Sequence, residues 1–160
     1  MNQPPLNIVL MHPEIPGNTG NIGRLCVGIG ARLHLVHPLG FDISAKAVRR
    51  AGLDYWKWVD LVEHRDADAF FEWAEGRPVS ALSAKATASY TSVSYSPGHV
   101  LLFGRETKGL PEEARDRYPL LTIPAPGPVR SLNLSNAVSV VAYHALQAVR
   151  PAWFGTGTPQ

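Results

Sequence analysis

The stretch His99–Ala125 reads HVLLFGRETKGLPEEARDRYPLLTIPA and contains one full repeat of a strand–helix–strand pattern. HVLLFG is short and almost wholly apolar, as a strand buried on both faces requires. Glycines at 104 and 109 interrupt it, and PEEARDRYP then starts a helix with proline in its first turn. LLTIPA follows as a second apolar strand. A helix between two such strands predicts a parallel crossover.

Outward from this stretch the alternation continues. Strands are predicted over Leu6–Met11, Ala31–His37, Trp58–His64 and Val79–Ala84. Helices are predicted to start near Asn18 or Thr19, and to cover Ser44–Gly52 and Asp66–Gly76. A long helix from about Leu132 to Val149 carries Leu134, Ala137, Val138, Val141, Ala142, Ala145, Leu146 and Val149 in one stripe, suited to a core or a subunit interface. The expected fold is a single α/β domain over residues 1–160, its parallel sheet covered on both faces, with a loose tail from 154. Hydrophobic residues at 45% against 18% charged favour a folded chain over a disordered one. No apolar run is long enough to span a bilayer and the start is not a signal peptide, so a cytoplasmic protein without membrane contact is expected. Cys26 stands alone, and the six histidines show no metal-ligand spacing. Neither a disulfide nor a metal is expected.

The net charge of +2 decides little, but its distribution is uneven. Arg24, Arg32, Lys46, Arg49, Arg50 and Lys57 cluster in one segment, whereas Asp60, Glu63, Asp66, Asp68, Glu72 and Glu75 crowd the next. A basic patch for a phosphate backbone and two solvated helix faces explain this equally well.

Three loops carry residues suited to chemistry. NTGNIGR (Asn18–Arg24) places amide donors and a guanidinium at a helix start, where anions are attracted. GRETKG (Gly104–Gly109) lies beyond a strand end, where ligands of open α/β sheets bind, and offers the Glu106 carboxylate. In the third, IPAPGPVRSLNLSN (Ile123–Asn136), prolines stiffen a loop that ends in Arg130, Ser131 and Asn133. Taken singly, each is also an ordinary cap or turn, with Ser131 a natural helix cap.

Together, in this order, the three resemble the SPOUT superfamily of RNA methyltransferases, whose signature is NxGNxxR, GxExxG and SLNxS. RRAGLDYW (Arg49–Trp56) resembles its minimal single-domain branch. The resemblance implies a parallel-sheet fold with a deep trefoil knot near the carboxyl end, and a homodimer. A knot is something general topology rules would never suggest. It further implies S-adenosylmethionine as methyl donor, without a metal. The knotted loops would turn their polar side chains inward around it.

The implied activity is methylation of the ribose 2′-hydroxyl of the wobble nucleotide, cytidine or uridine 34, in the anticodon stem-loop of tRNA, leucine tRNAs among them. Carried over by position, the cofactor pocket would comprise Leu82, Ser83, Gly104, Glu106, Ile123, Ser131 and Leu132. Arg24 would be the catalytic arginine, supplied by the twin subunit and supported by Asn18, Glu106, Ser131 and Asn133. Lys46, Arg49, Arg50, Arg130 and Arg150 are candidates for phosphate contacts. Other expectations compatible with these residues are methylation elsewhere on tRNA or ribosomal RNA, a nonenzymatic RNA-binding knotted domain, and a flavodoxin-like phosphate binder.

Overall fold

The computed structural model describes residues 3–50 and 53–155. Seven strands form one sheet: β1 (Leu6–Met11), β2 (Arg32–Val36), β3 (Asp60–His64), β4 (Val79–Leu82), β5 (Ala88–Ser89), β6 (His99–Phe103) and β7 (Leu120–Thr122). Their order is β3-β2-β1-β6-β4-β7-β5, and every pairing is parallel. The helices are α1 (Pro16–Ile29), α2 (Ala45–Arg50), α3 (Ala67–Ala74), α4 (Glu112–Arg117) and α5 (Leu134–Val149).

The apolar runs follow from burial on both faces. Leu6, Ile8 and Leu10 of β1 meet Ile22, Cys26 and Ile29 of α1 and the Val138–Val149 stripe of α5. Val9 and Met11, one residue out of phase, meet Phe70, Phe71 and Ala74 of α3 and Ala114 of α4. Of the predicted stripe on α5, Leu134 and Ala137 are only half-buried and sit at the mouth of a cleft described below. Burial pushes the Cys26 thiol up to about 12, so it is a core residue rather than a nucleophile.

Two expectations are corrected. Helix α1 starts at Pro16, ahead of Asn18, because proline already holds the φ a first helical residue needs. The cap of α5 is Asn133, not Ser131: its Oδ1 accepts from the backbone N–H of Ser135 and of Asn136. Pro151–Phe154 forms a 3-10 turn, and the Phe154 ring lies edge-on to Tyr143 at 6.5 Å. Residues 156–160 lie outside those described. The Ser/Thr/Tyr-rich segment before β6 also holds the two-residue edge strand β5, too short and polar for a periodic signal.

A polar relay is buried among the strands. Asn7 Nδ2 donates to the Gly98 carbonyl at 2.9 Å, so its Oδ1 accepts from His34 Nε2 at 2.9 Å. His34 Nδ1 is then left to accept from His64 Nε2 at 3.0 Å, and both rings lie against Trp73. Burial, aided by the neighbouring His64, pushes His34 down to about 3. A histidine with a depressed native pKa takes its proton first in the unfolded chain. Its contribution to stability is therefore complete above about pH 6.5 and is lost as pH falls toward 3. Urea denaturation is expected to show stability falling by at least about 1.4 kcal/mol per pH unit below roughly pH 6, one proton's worth from His34, with His64 and His99, also held down by burial, adding to it. A flat profile between about pH 7 and pH 5 would show that the native state takes up protons as readily as the unfolded chain, so that His34 is not held neutral by burial.

Candidate active site

Helix α1 has a weak start of its own. Ile15 at its cap offers no side-chain acceptor, and no acidic residue lies in its first turn. The missing charge comes from far along the chain. Glu106, in the loop after β6, accepts from Glu14 N at 2.9 Å, Ile15 N at 2.8 Å and Asn18 Nδ2 at 3.1 Å. A carboxylate at this end of a helix also complements its dipole. Glu14 reciprocates by accepting from Thr107 N at 3.2 Å and Thr107 Oγ1 at 2.7 Å. These bonds, the Thr107 hydroxyl first, hold the Glu14 carboxyl below the usual carboxylate range.

The chain of bonds continues to the third loop. Asn133 Nδ2 donates to Asn18 Oδ1 at 3.1 Å, while Asn133 Oδ1 caps α5. Glu106, Asn18 and Asn133 thus join the three candidate loops in one directed relay. Asn18 is 6% exposed, so breaking the relay would leave a buried amide unpaired.

Beside the relay lies a cleft of about 800 Å³. Leu82 and Ser83 line it after β4, and Gly104 and Glu106 after β6. Ile123, Ser131, Leu132 and Asn133 line it beyond β7, with Asn18 at its edge. Gly104 is obligatory: a Cβ there would stand 2.1 Å from the Gly109 carbonyl carbon and 2.2 Å from Leu110 N. Of the polar groups of the third loop, Ser131 and Asn133 line the cleft. Ser135 and Asn136 do not line the cleft; the Ser135 hydroxyl is bonded to Asn133 Oδ1, and both backbones are spent on the cap.

Arg24 is not among the cleft residues. It is exposed on α1, its guanidinium carbon 6.0 Å from the Tyr55 ring centroid. Six residues beyond Asn18, it points about 240° farther round the helix.

The cations expected to meet phosphate are spread out. Arg130 lines the cleft, and Lys46 is exposed on α2. Arg150 is half-buried at the far end of α5, about 24 Å of helix away, with Nη1 on the Val149 carbonyl. Arg49 and Arg50 end α2, and their side chains lie outside those described. Arg32 leaves the expected basic segment altogether, because it pairs with Asp60 across β2 and β3 at 2.9 Å.

Sequence reasoning missed Glu14 and Thr107, whose clasp depends on two loops 93 residues apart. It also missed Arg115 and Lys85 on the cleft wall. The order of the strands, which brings those loops together, carries no local signature.

The sequence profile of the SpoU rRNA Methylase family matches residues 5–143. Curated relatives named tRNA (cytidine(34)-2′-O)-methyltransferase include one from Escherichia coli K12, 49% identical over 88% of this chain and 91% of its own length. Another, from Yersinia pestis, is 48% identical over the same shares. A solved structure described by the words "Structural insights into the 2-OH methylation of C/U34 on tRNA" aligns with a TM-score of 0.85 and 49% identity, covering 91% of this chain and 97% of its own. An AdoMet-bound rRNA methyltransferase from Sinorhizobium meliloti aligns at TM-score 0.79 and 26% identity, over 91% of this chain and 57% of its own.

Proposed function

The chain belongs to the SpoU rRNA Methylase family, and from that premise we propose that it methylates the ribose 2′-hydroxyl of nucleotide 34, cytidine or uridine, in tRNA. The observation that carries this is the Glu106–Asn18–Asn133 relay, which draws three sequence motifs to the rim of one cleft. The relatives of matching length, named for this reaction, support the substrate. Leucine tRNAs are the substrates we propose, in the cytoplasm.

The cleft fits S-adenosylmethionine. Leu82, Leu121, Ile123 and Leu132 give apolar walls for an adenine ring, and the absence of a side chain at Gly104 lets the Gly109–Leu110 backbone close against it to shape the cleft. Ser83 and Ser131 offer hydroxyls at the edge. When bound, the cofactor would supply an electrophilic methyl group to the ribose oxygen. Both oxygens of Glu106 are already engaged, so Glu106 holds the loops in place. A guanidinium offers five N–H donors and no acceptor, so Arg24 is not the base. Its role is to orient the ribose and its phosphate and to stabilise negative charge growing on the oxygen.

Because Arg24 points away from its own cleft, the proposed enzyme is a homodimer in which the partner's Arg24 faces the cofactor. The deep trefoil knot belongs to the same proposal. Methyl transfer from labelled S-adenosylmethionine to bulk tRNA, followed by mapping of the modified nucleotide, tests the function. Label at nucleotide 34 is expected; label elsewhere, or none, would refute it.

Lys46, Arg49, Arg50, Arg130 and Arg150 would contact phosphates from the two subunits. Affinity for tRNA is then expected to fall about tenfold or more between roughly 50 and 200 mM salt, as three or more released counterions require. Binding that ignores salt would remove these contacts.

A further inference from the structure

The cleft is unevenly charged. Where the loop after β6 meets the start of α1, Glu106 and Glu14 stand with Arg105 and Lys108. The Thr107 bonds hold the Glu14 carboxyl down, and the charges of Arg105 and Lys108 add to their effect, so opposite signs meet there. Farther along, the lining carries Lys85 in the loop after β4, Arg115 on α4 and Arg130 beyond β7. None of these three forms an ion pair among the described residues. Glu106 is the only carboxylate among the described residues that line the cleft. Lys85 and Arg130 are exposed, whereas Arg115 is half-buried in the wall. A half-buried charge without a partner costs free energy that an anion entering the cleft returns.

We propose that Arg115, with Lys85 adding positive charge, receives the carboxylate of the cofactor's amino-acid end and so sets which way round S-adenosylmethionine lies in the cleft. The assignment rests on the cofactor reading proposed above. S-adenosylmethionine carries a single anionic group, its carboxylate, against a sulfonium and an ammonium. A wall of unpaired cations repels the last two and attracts only the first. The sulfonium is thereby left toward Glu106, where the lining has its negative charge. A guanidinium fork meets a carboxylate with two parallel hydrogen bonds, which an ammonium cannot form. RNA phosphate is the other anion at hand, and burial separates the two. Exposed Arg130 suits a bulky polyanion crossing the mouth, whereas a cation recessed in the wall meets what enters the cleft.

Isothermal titration compares S-adenosylhomocysteine with its decarboxylated analogue, which keeps the adenosine, the thioether and the amine. Wild type is expected to bind the analogue about tenfold more weakly, or worse, as loss of a charge-assisted hydrogen bond requires. Arg115→Gln should lose about the same factor on S-adenosylhomocysteine and none on the analogue, with Arg115→Lys falling between. Lys85→Gln, in an exposed loop, should lose about two- to threefold on S-adenosylhomocysteine, and less at high salt. Equal wild-type affinity for the two compounds overturns the assignment without any variant. So does an Arg115→Gln protein weakened alike on both, which would make Arg115 a structural residue. An Arg115→Gln protein that keeps S-adenosylhomocysteine and loses tRNA also overturns it, making Arg115 a phosphate contact. Failure of the wild-type protein to bind S-adenosylhomocysteine at all is a separate result, which removes the cofactor cleft and this role with it.

Discussion

Arg24→Ala is expected to cut methyl transfer to tRNA by roughly 10²- to 10³-fold, the usual cost of losing one donor to a developing oxyanion. Affinity for S-adenosylmethionine should not change. The reason is positional: Arg24 is exposed, takes no part in the Glu106–Asn18–Asn133 relay, and does not line the cleft. Arg24→Lys should rescue little, since a point charge cannot reproduce the planar fork that holds ribose and phosphate together. Isothermal titration with the cofactor, set beside single-turnover transfer to tRNA, checks both halves. Loss of cofactor binding in Arg24→Ala would refute the division of labour.

Gly104→Ala should have the opposite signature, losing cofactor binding first. The added Cβ would overlap backbone atoms of Gly109 and Leu110, which cannot swing aside as a side chain can. The Arg105–Gly109 bridge, closed by Gly109 N on the Arg105 carbonyl at 2.9 Å, must open, and the Glu106 carboxylate moves with it. A stability loss of about 1–3 kcal/mol is expected from the overpacking, with no measurable affinity for S-adenosylmethionine. Normal cofactor affinity in this variant would place the binding site elsewhere. The two variants together test the proposed dimer. A mixture of Arg24→Ala and Gly104→Ala subunits forms hybrids in which one site combines an intact cleft with an intact Arg24. Random exchange would restore about one quarter of wild-type activity. No recovery on mixing would mean that each chain uses its own arginine.

Much of this was legible along the chain, because strands buried on both faces must be continuously apolar. Leu6–Met11 and His99–Phe103 announced themselves in that way. The three motifs were visible too, although each alone could be a cap or a turn. The role of Asn133 shows why: its amide oxygen caps α5 as any asparagine might, and only its amide nitrogen, on Asn18, betrays the second task. Glu106 carried no local mark as the acceptor for the start of α1, since its partners lie some ninety residues earlier.

Sequence alone determined the alternating elements, the two-faced burial and the residue types in the loops, all of which depend on neighbours a few positions away. Convergence of the loops was decided by tertiary structure. Placing β6, β4 and β7 side by side, all parallel, puts their carboxyl ends on one edge, and β1 beside β6 brings the start of α1 to the Glu106 loop. Strand order is set by which faces pack best over the whole domain, a property of distant contacts that no short stretch of residues can encode.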